Sequence, residues 1–274
     1  MPVIFDNHVH LSPRGKNVEE VKRFEKVGGT HLMLVTLPRE RNETPDRQYQ
    51  TTLDIAKKAM EDTKVRIYVA IGPHPVELTH MVKDWKMSLD DAKQRMIDSI
   101  DCAAGLIRDG RAVAIGEVGR PHFPTSPEIL QASNEIMLYS MQVAKELGCA
   151  VVLHTESTTP DVCREIAELA DRAGLPRGKV VKHYCPPLVD EKENHGIFPS
   201  VLIGRDNAEK ALAQGTRFMM ETDFLDDLKR PGAVLDITTV PKRTKMLLET
   251  GKATPETLEK IHRENPEAIY GIEM

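Results

Sequence analysis

Apolar residues come in short, largely β-branched runs, and each run is followed by a longer stretch whose apolar positions recur at helical spacing. The runs are Val3 to Asp6, His31 to Leu37, Val65 to Ile71, Arg111 to Glu117, Cys149 to His154, Lys179 to His183, Ser200 to Gly204 and Arg217 to Asp223. Several are apolar without interruption, as in Leu32-Met33-Leu34-Val35 and Ala112-Val113-Ala114-Ile115. Such runs predict strands buried on both faces, which a parallel sheet covered by helices requires. Helices are predicted over Val18 to Val27, Arg47 to Met60, Asp90 to Arg108, Pro127 to Leu147, Asp161 to Ala173, Ala208 to Gln214 and Val234 to Glu249. Two further starts are marked by Thr254-Pro255-Glu256 and Asn265-Pro266-Glu267. Each offers a capping side chain, a proline with fixed φ at the first helical position, and an acid near the positive end of the helix dipole.

Eight strand-helix alternations over 274 residues predict an α/β fold, a closed (β/α)8 TIM barrel rather than an open doubly wound sheet, since such barrels typically take about 250 residues. No linker or low-complexity stretch divides the chain, so residues 1–274 are expected to form a single domain. A charged fraction of 29% with net charge -5 lacks the basic excess of general nucleic-acid binders, which favours a small-molecule substrate over nucleic acid. No apolar run approaches the roughly 20 residues of a membrane span. The opening Met1-Pro2-Val3-Ile4-Phe5-Asp6 lacks a secretory signal, so a cytoplasmic location is expected. Cys102, Cys149, Cys163 and Cys185 are scattered without a C-x-x-C pair, as expected of reduced, mostly buried thiols.

The chemistry lies where the strands end. His8 and His10 close the first strand in Asp6-Asn7-His8-Val9-His10, and their two-residue spacing places both imidazoles on one face of an extended segment, aimed at one ion. Glu117 lies at the end of the fourth strand between Gly116 and Gly119, glycines that permit close approach, and a carboxylate there can bridge two ions. His154 ends the fifth strand, His183 the sixth and Asp223 the eighth. Barrel enzymes keep their active sites at this carboxyl end. Six ligand-type residues at the same end of five strands predict a centre for two divalent metal ions held by His8, His10, Glu117, His154, His183 and Asp223.

These residues resemble the TatD-related family of metal-dependent hydrolases, within the amidohydrolase-like barrels. The resemblance spans the chain and rests on Asp6-Asn7-His8-Val9-His10, Ile71-Gly72-Pro73-His74-Pro75, Gly116-Glu117-Val118-Gly119, His154, His183, Glu221-Thr222-Asp223 and the tail Asn265-Pro266-Glu267-Ala268-Ile269-Tyr270-Gly271. It implies that His8, His10 and Asp223 serve one metal, that His154 and His183 serve the other, and that Glu117 bridges. It also implies hydrolysis of a phosphodiester or phosphomonoester. The matching motifs continue differently from typical members, as Gly119-Arg120-Pro121-His122-Phe123, Thr155-Glu156, His183-Tyr184-Cys185-Pro186-Pro187 and Asp223-Phe224-Leu225. This marks a divergent branch with its own substrate.

Asp223, beside the attacking water, is the expected catalytic general base. His74, Arg120 and Arg205, in loops after the third, fourth and seventh strands, are the candidate substrate contacts. Three or more imidazoles favour zinc, while the carboxylates admit manganese, cobalt, nickel or magnesium. The competing functions are hydrolysis of a small amide or lactone by the same cage, and a non-enzymatic, metal-stabilised binding protein.

Overall fold

The computed structural model describes residues 2–274. Strands and helices alternate: β1 (Phe5–His10), α1 (Val18–Lys26), β2 (His31–Val35), α2 (Pro45–Asp62), β3 (Arg66–Ile71), α3 (Val76–Lys83), α4 (Leu89–Arg108), β4 (Ala114–Gly119), α5 (Pro127–Leu147), β5 (Ala150–His154), α6 (Pro160–Ala173) and β6 (Val180–Cys185). There follow α7 (Glu191–Asn194), β7 (Phe198–Leu202), α8 (Asn207–Leu212), β8 (Met219–Glu221), β9 (Phe224–Leu225), α9 (Thr239–Glu249), α10 (Pro255–Glu259) and α11 (Asn265–Tyr270). All sheet pairings are parallel, in the order β8-β7-β6-β5-β4-β3-β2-β1-β9. The expected (β/α)8 barrel is present.

The eighth strand departs from the expected single run: it is split into β8, which pairs with β7, and β9, which pairs with β1 through Val9 and Phe224. Thr222 and Asp223 form the break, with Asp223 in the left-handed region at φ 48. The seam is closed by Asp6 of β1, whose carboxylate accepts from the Thr222 amide at 3.0 Å and the Thr222 hydroxyl at 2.7 Å. Burial raises the Asp6 carboxyl to about 7 against the pull of those hydrogen bonds.

The barrel interior is filled by alternate residues, among them Phe5, Met33, Val35, Ala70, Ala114, Val152, Val181, Phe198 and Met219. Continuing the same alternation one step brings His154 after Val152, His183 after Val181, Ser200 after Phe198 and Glu221 after Met219 to the top of that interior. The register slips in β1 between Asp6 and Val9 and in β4 between Ile115 and Val118. Such irregularities re-aim side chains, and the latter flanks Glu117.

Thr254 caps α10 as expected, accepting from the Thr257 amide. Asn265 does not cap a helix with its side chain: the backbone is already helical at Glu264, and the Asn265 side-chain amide instead donates to the carbonyls of Thr216 and Phe218, tying the tail to the segment that leads into β8. All four cysteines are free thiols. No described helix is long and apolar enough to cross a membrane.

His262 is fully buried beneath β1. The Thr244 hydroxyl is already donated to the Val240 carbonyl, so it accepts from His262 Nε2–H at 2.8 Å. His262 Nδ1 is then the unprotonated nitrogen, accepting from the Phe5 amide at 3.2 Å. Burial lowers this imidazole from 6.5 to about 4. The unfolded chain therefore binds the extra proton between those values, and the associated stability is complete above about pH 6.5 and lost as pH falls toward 4. The shift corresponds to about 3 kcal/mol. Denaturant unfolding of the parent and of His262→Gln at pH 7 and pH 4.5 is expected to show the parent losing most of that amount relative to the variant. Parallel losses would show that His262 does not carry it.

Candidate active site

The six residues expected at the strand ends converge around Glu117, which is buried at the top of the barrel. Glu117 Oε2 lies 3.1 Å from His8 Nε2 and 3.6 Å from His10 Nε2. Glu117 Oε1 lies 2.9 Å from His154 Nδ1 and 3.6 Å from His183 Nε2. Within each pair the nitrogens are 3.2 Å apart. Asp223 joins the first group, with Oδ1 3.6 Å from His10 Nε2 and 4.0 Å from His8 Nε2. Gly119 makes the second possible: at φ 139, with a Cβ that would lie 2.1 Å from the His154 carbonyl oxygen, it is a position only glycine fills.

Partners behind the rings fix which nitrogens face the centre. His10 Nδ1–H donates to the Val35 carbonyl at 3.0 Å and His183 Nδ1–H to Glu221 Oε1 at 3.3 Å, so each turns an Nε2 lone pair inward. His74 is held the other way. Its Nδ1 accepts from the Val76 amide at 3.0 Å, leaving Nε2–H to donate toward Glu117 Oε1 at 3.2 Å. The backbone of His74 is anchored by Glu77, whose Oε1 also accepts from the Arg39 amide and Gln48. The Arg39–Glu77 ion pair, 3.2 Å, is completely buried.

Charge follows the same geometry. Burial alone would raise Glu117, but the imidazoles of His183, His74 and His154 hold its carboxyl well below the usual range. Burial lowers His10 and His154 to about 4 each, leaving them neutral near pH 7. Burial also works against a charge on His8, yet the hydrogen bond and charge of Glu117, with Glu221 and Asp223, push it up to about 9. Burial, reinforced by Glu117, Glu221 and Asp6, keeps Asp223 well above the carboxylate range despite His8. The centre thus gathers buried carboxylates and inward lone pairs, with the His8 proton as a local positive charge. That donor set fits divalent cations, which would take the place of that proton. Three groups have ligand atoms within 4.8 Å of one another: His8, His10 and Glu117; His74, Glu117 and His154; and His8, His183 and Glu221.

A family model described as TatD related DNase matches residues 5–271. The chain belongs to this family. It is 42% identical over 278 residues to a protein of Methanocaldococcus jannaschii described as uncharacterized, covering 99% of this chain and 96% of that one. A TatD homologue of Escherichia coli superposes with a TM-score of 0.66 at 17% identity, covering 98% of each chain. A TatD-like protein of Archaeoglobus fulgidus gives 0.62 at 19%, covering 98% of this chain and 100% of that one. The phosphotriesterase homology protein of Escherichia coli, complexed with phosphate in its active site, gives 0.64 at 15%, covering 98% of each. At such identities the structural likeness speaks for the barrel alone; the family match supports a hydrolase.

The three candidate substrate contacts of this TatD-family chain fare differently. His74 is part of the cluster. Arg120 is buried and engaged by Asn134 at 2.7 Å, Glu156 at 2.8 Å and Glu165 at 2.9 Å. Arg205 sits in an exposed turn after β7 and forms no hydrogen bond or ion pair among the described residues. Glu221 and Glu77 support the cluster through hydrogen bonds to His183 and His74 and were not among the residues expected at the site. The inward alternation of β8 was a usable signal for Glu221, whereas Glu77 lies on a helix and had none.

Proposed function

We propose that the protein is a metal-dependent hydrolase with a dinuclear centre, acting on a phosphoester. The observation carrying this is the pairing at Glu117, whose Oε2 faces the inward nitrogens of His8 and His10 and whose Oε1 faces those of His154 and His183. His8, His10 and Asp223 would hold one divalent ion and His154 and His183 the other, with Glu117 shared. Bound divalent cations supply an acidified water and a polarised electrophile. Asp223 is the base that takes the water's proton and returns it to the leaving group. His74 holds Glu117 through its Nε2–H, and Val35 and Glu221 keep His10 and His183 in the tautomer whose lone pairs point inward.

Asp223 opens onto a cavity of about 290 Å³ whose wall includes His122, Thr155, Glu156 and Tyr184. Its lining contains no lysine or arginine, and the guanidinium that reaches its wall residue Glu156, that of Arg120, is engaged by three side chains. With a net charge of -5, this favours a small substrate over duplex DNA. The same lack of a side-chain cation favours hydrolysis of a small neutral lactone or amide as the second reading.

The test combines elemental analysis with a panel of phosphomonoesters, phosphodiesters, lactones, amides and duplex DNA under added Mn²⁺, Zn²⁺, Co²⁺, Ni²⁺ and Mg²⁺. About two ions per chain and metal-dependent turnover of a small phosphoester are expected. Lactone or amide turnover without phosphoester turnover would transfer the assignment to the second reading. Protein that takes up no ion, and gains no thermal stability from one, would leave the proposal without a basis.

A further inference from the structure

Tyr184 is the exposed aromatic at the mouth of the site, 49% accessible, and it stands next in sequence to His183. In an unbroken strand it would share the face of Lys182, which is buried. Instead the register of β6 against β7 slips between Lys182 and Cys185, and Tyr184 adopts φ 51, a left-handed conformation that a bulky side chain seldom takes. The clamp is visible: the Tyr184 amide donates to Glu221 Oε1 at 2.6 Å, and that fully buried carboxylate also holds His183 and accepts from Ser200. Strain held in place by a buried charged group at a site's edge points to function.

What the turn achieves is placement of the ring between two cavities. The 290 Å³ cavity over Asp223 and a neighbouring one of about 250 Å³ share Tyr184 and Ser157 as wall residues. The second is lined on its apolar side by Cys185, Pro186 and Leu202. A molecule with its reacting group beside Asp223 would therefore meet the phenol face and an apolar recess in continuous succession. Aromatic rings fit such a wall best, because offset or edge-on contact adds to the area they bury.

We infer that Tyr184 is a specificity-determining residue, selecting substrates whose scissile group carries an aromatic substituent that packs on its ring and enters the neighbouring recess. This rests on the phosphoester reading above. Calorimetric titration of the metal-loaded protein with phenylphosphonate and methylphosphonate tests it. The parent is expected to bind the phenyl compound about tenfold more tightly, the order of one aromatic contact. Tyr184→Phe should keep that ratio. Tyr184→Asn, chosen because asparagine tolerates positive φ, should bring it close to one. Equal binding of the two probes by the parent, or an undiminished ratio in Tyr184→Asn, would overturn the inference while leaving the hydrolase intact. If neither probe binds, the phosphoester reading fails and this inference fails with it. The parent's own ratio decides even if the asparagine variant is unstable.

Discussion

Replacing Asp223 with asparagine is expected to lower kcat by about 10²- to 10⁴-fold, the usual contribution of a positioned general base, while most of the bound metal and the melting temperature are retained. The expectation follows from where the carboxylate sits. Asp223 occupies the break between β8 and β9, at the edge of the cavity, with Oδ1 3.6 Å from His10 and 4.0 Å from His8. His8, His10 and Glu117 form a tighter group without it. An asparagine oxygen can still occupy a ligand position, but it accepts no proton. Elemental analysis and kinetics on the same preparation separate the two functions. Full metal with parental turnover would pass the base role to another group, and His122, whose Nδ1 lies 2.8 Å from His154 Nε2, is the next candidate. Metal lost in step with activity would make Asp223 a ligand whose role as base is unsupported.

Glu117→Gln should have the broadest effect on metal content, emptying both sites together, because the amide presents one weak oxygen where the carboxylate presents two charged ones. Disturbing only an outer partner of a ligand costs about 10- to 100-fold in affinity, so loss of the shared ligand should exceed that at each site. His154→Ala is the contrasting variant, expected to lose mainly one ion. Equilibrium dialysis followed by elemental analysis reads both. Parental metal content in Glu117→Gln would contradict the bridging arrangement. Loss of one ion only would place Glu117 at a single site.

Much of this molecule was legible in its sequence because a parallel barrel imposes a simple rule. Strands covered on both faces are apolar throughout, so a histidine or carboxylate at a strand end stands out, as His154 and His183 do. The barrel, most of its helices and the residues that meet at Glu117 were legible, whereas the short helices α3 and α7 were not. What escaped depends on distant pairing. The split of the last strand is set by Asp6 reaching Thr222, a contact with no local signature. Asn265 carries every mark of a helix cap, yet the carbonyls of Thr216 and Phe218 take its amide, and tertiary contact prevails over local preference. Arg120 and Arg205 were proposed from loop position alone, which says where a backbone passes but not what a guanidinium finds there. For Arg120 it finds Glu156 and Glu165.

The strand that carries His8 and His10 obtains several of its polar partners from remote parts of the chain: Asn7 bonds Ser200 and Tyr270, Asp6 bonds Thr222, and Phe5 bonds His262, at separations of 193 to 263 residues. On a ribosome these partners emerge long after β1 does, and at about 5–20 residues per second the wait is on the order of ten seconds or more. Throughout that interval β1 can pair with β2, but its buried aspartate, asparagine and backbone amide have no counterparts. The histidine pair therefore reaches its final geometry only after the chain has left the exit tunnel as far as Tyr270, which makes assembly of the candidate centre a late event in folding.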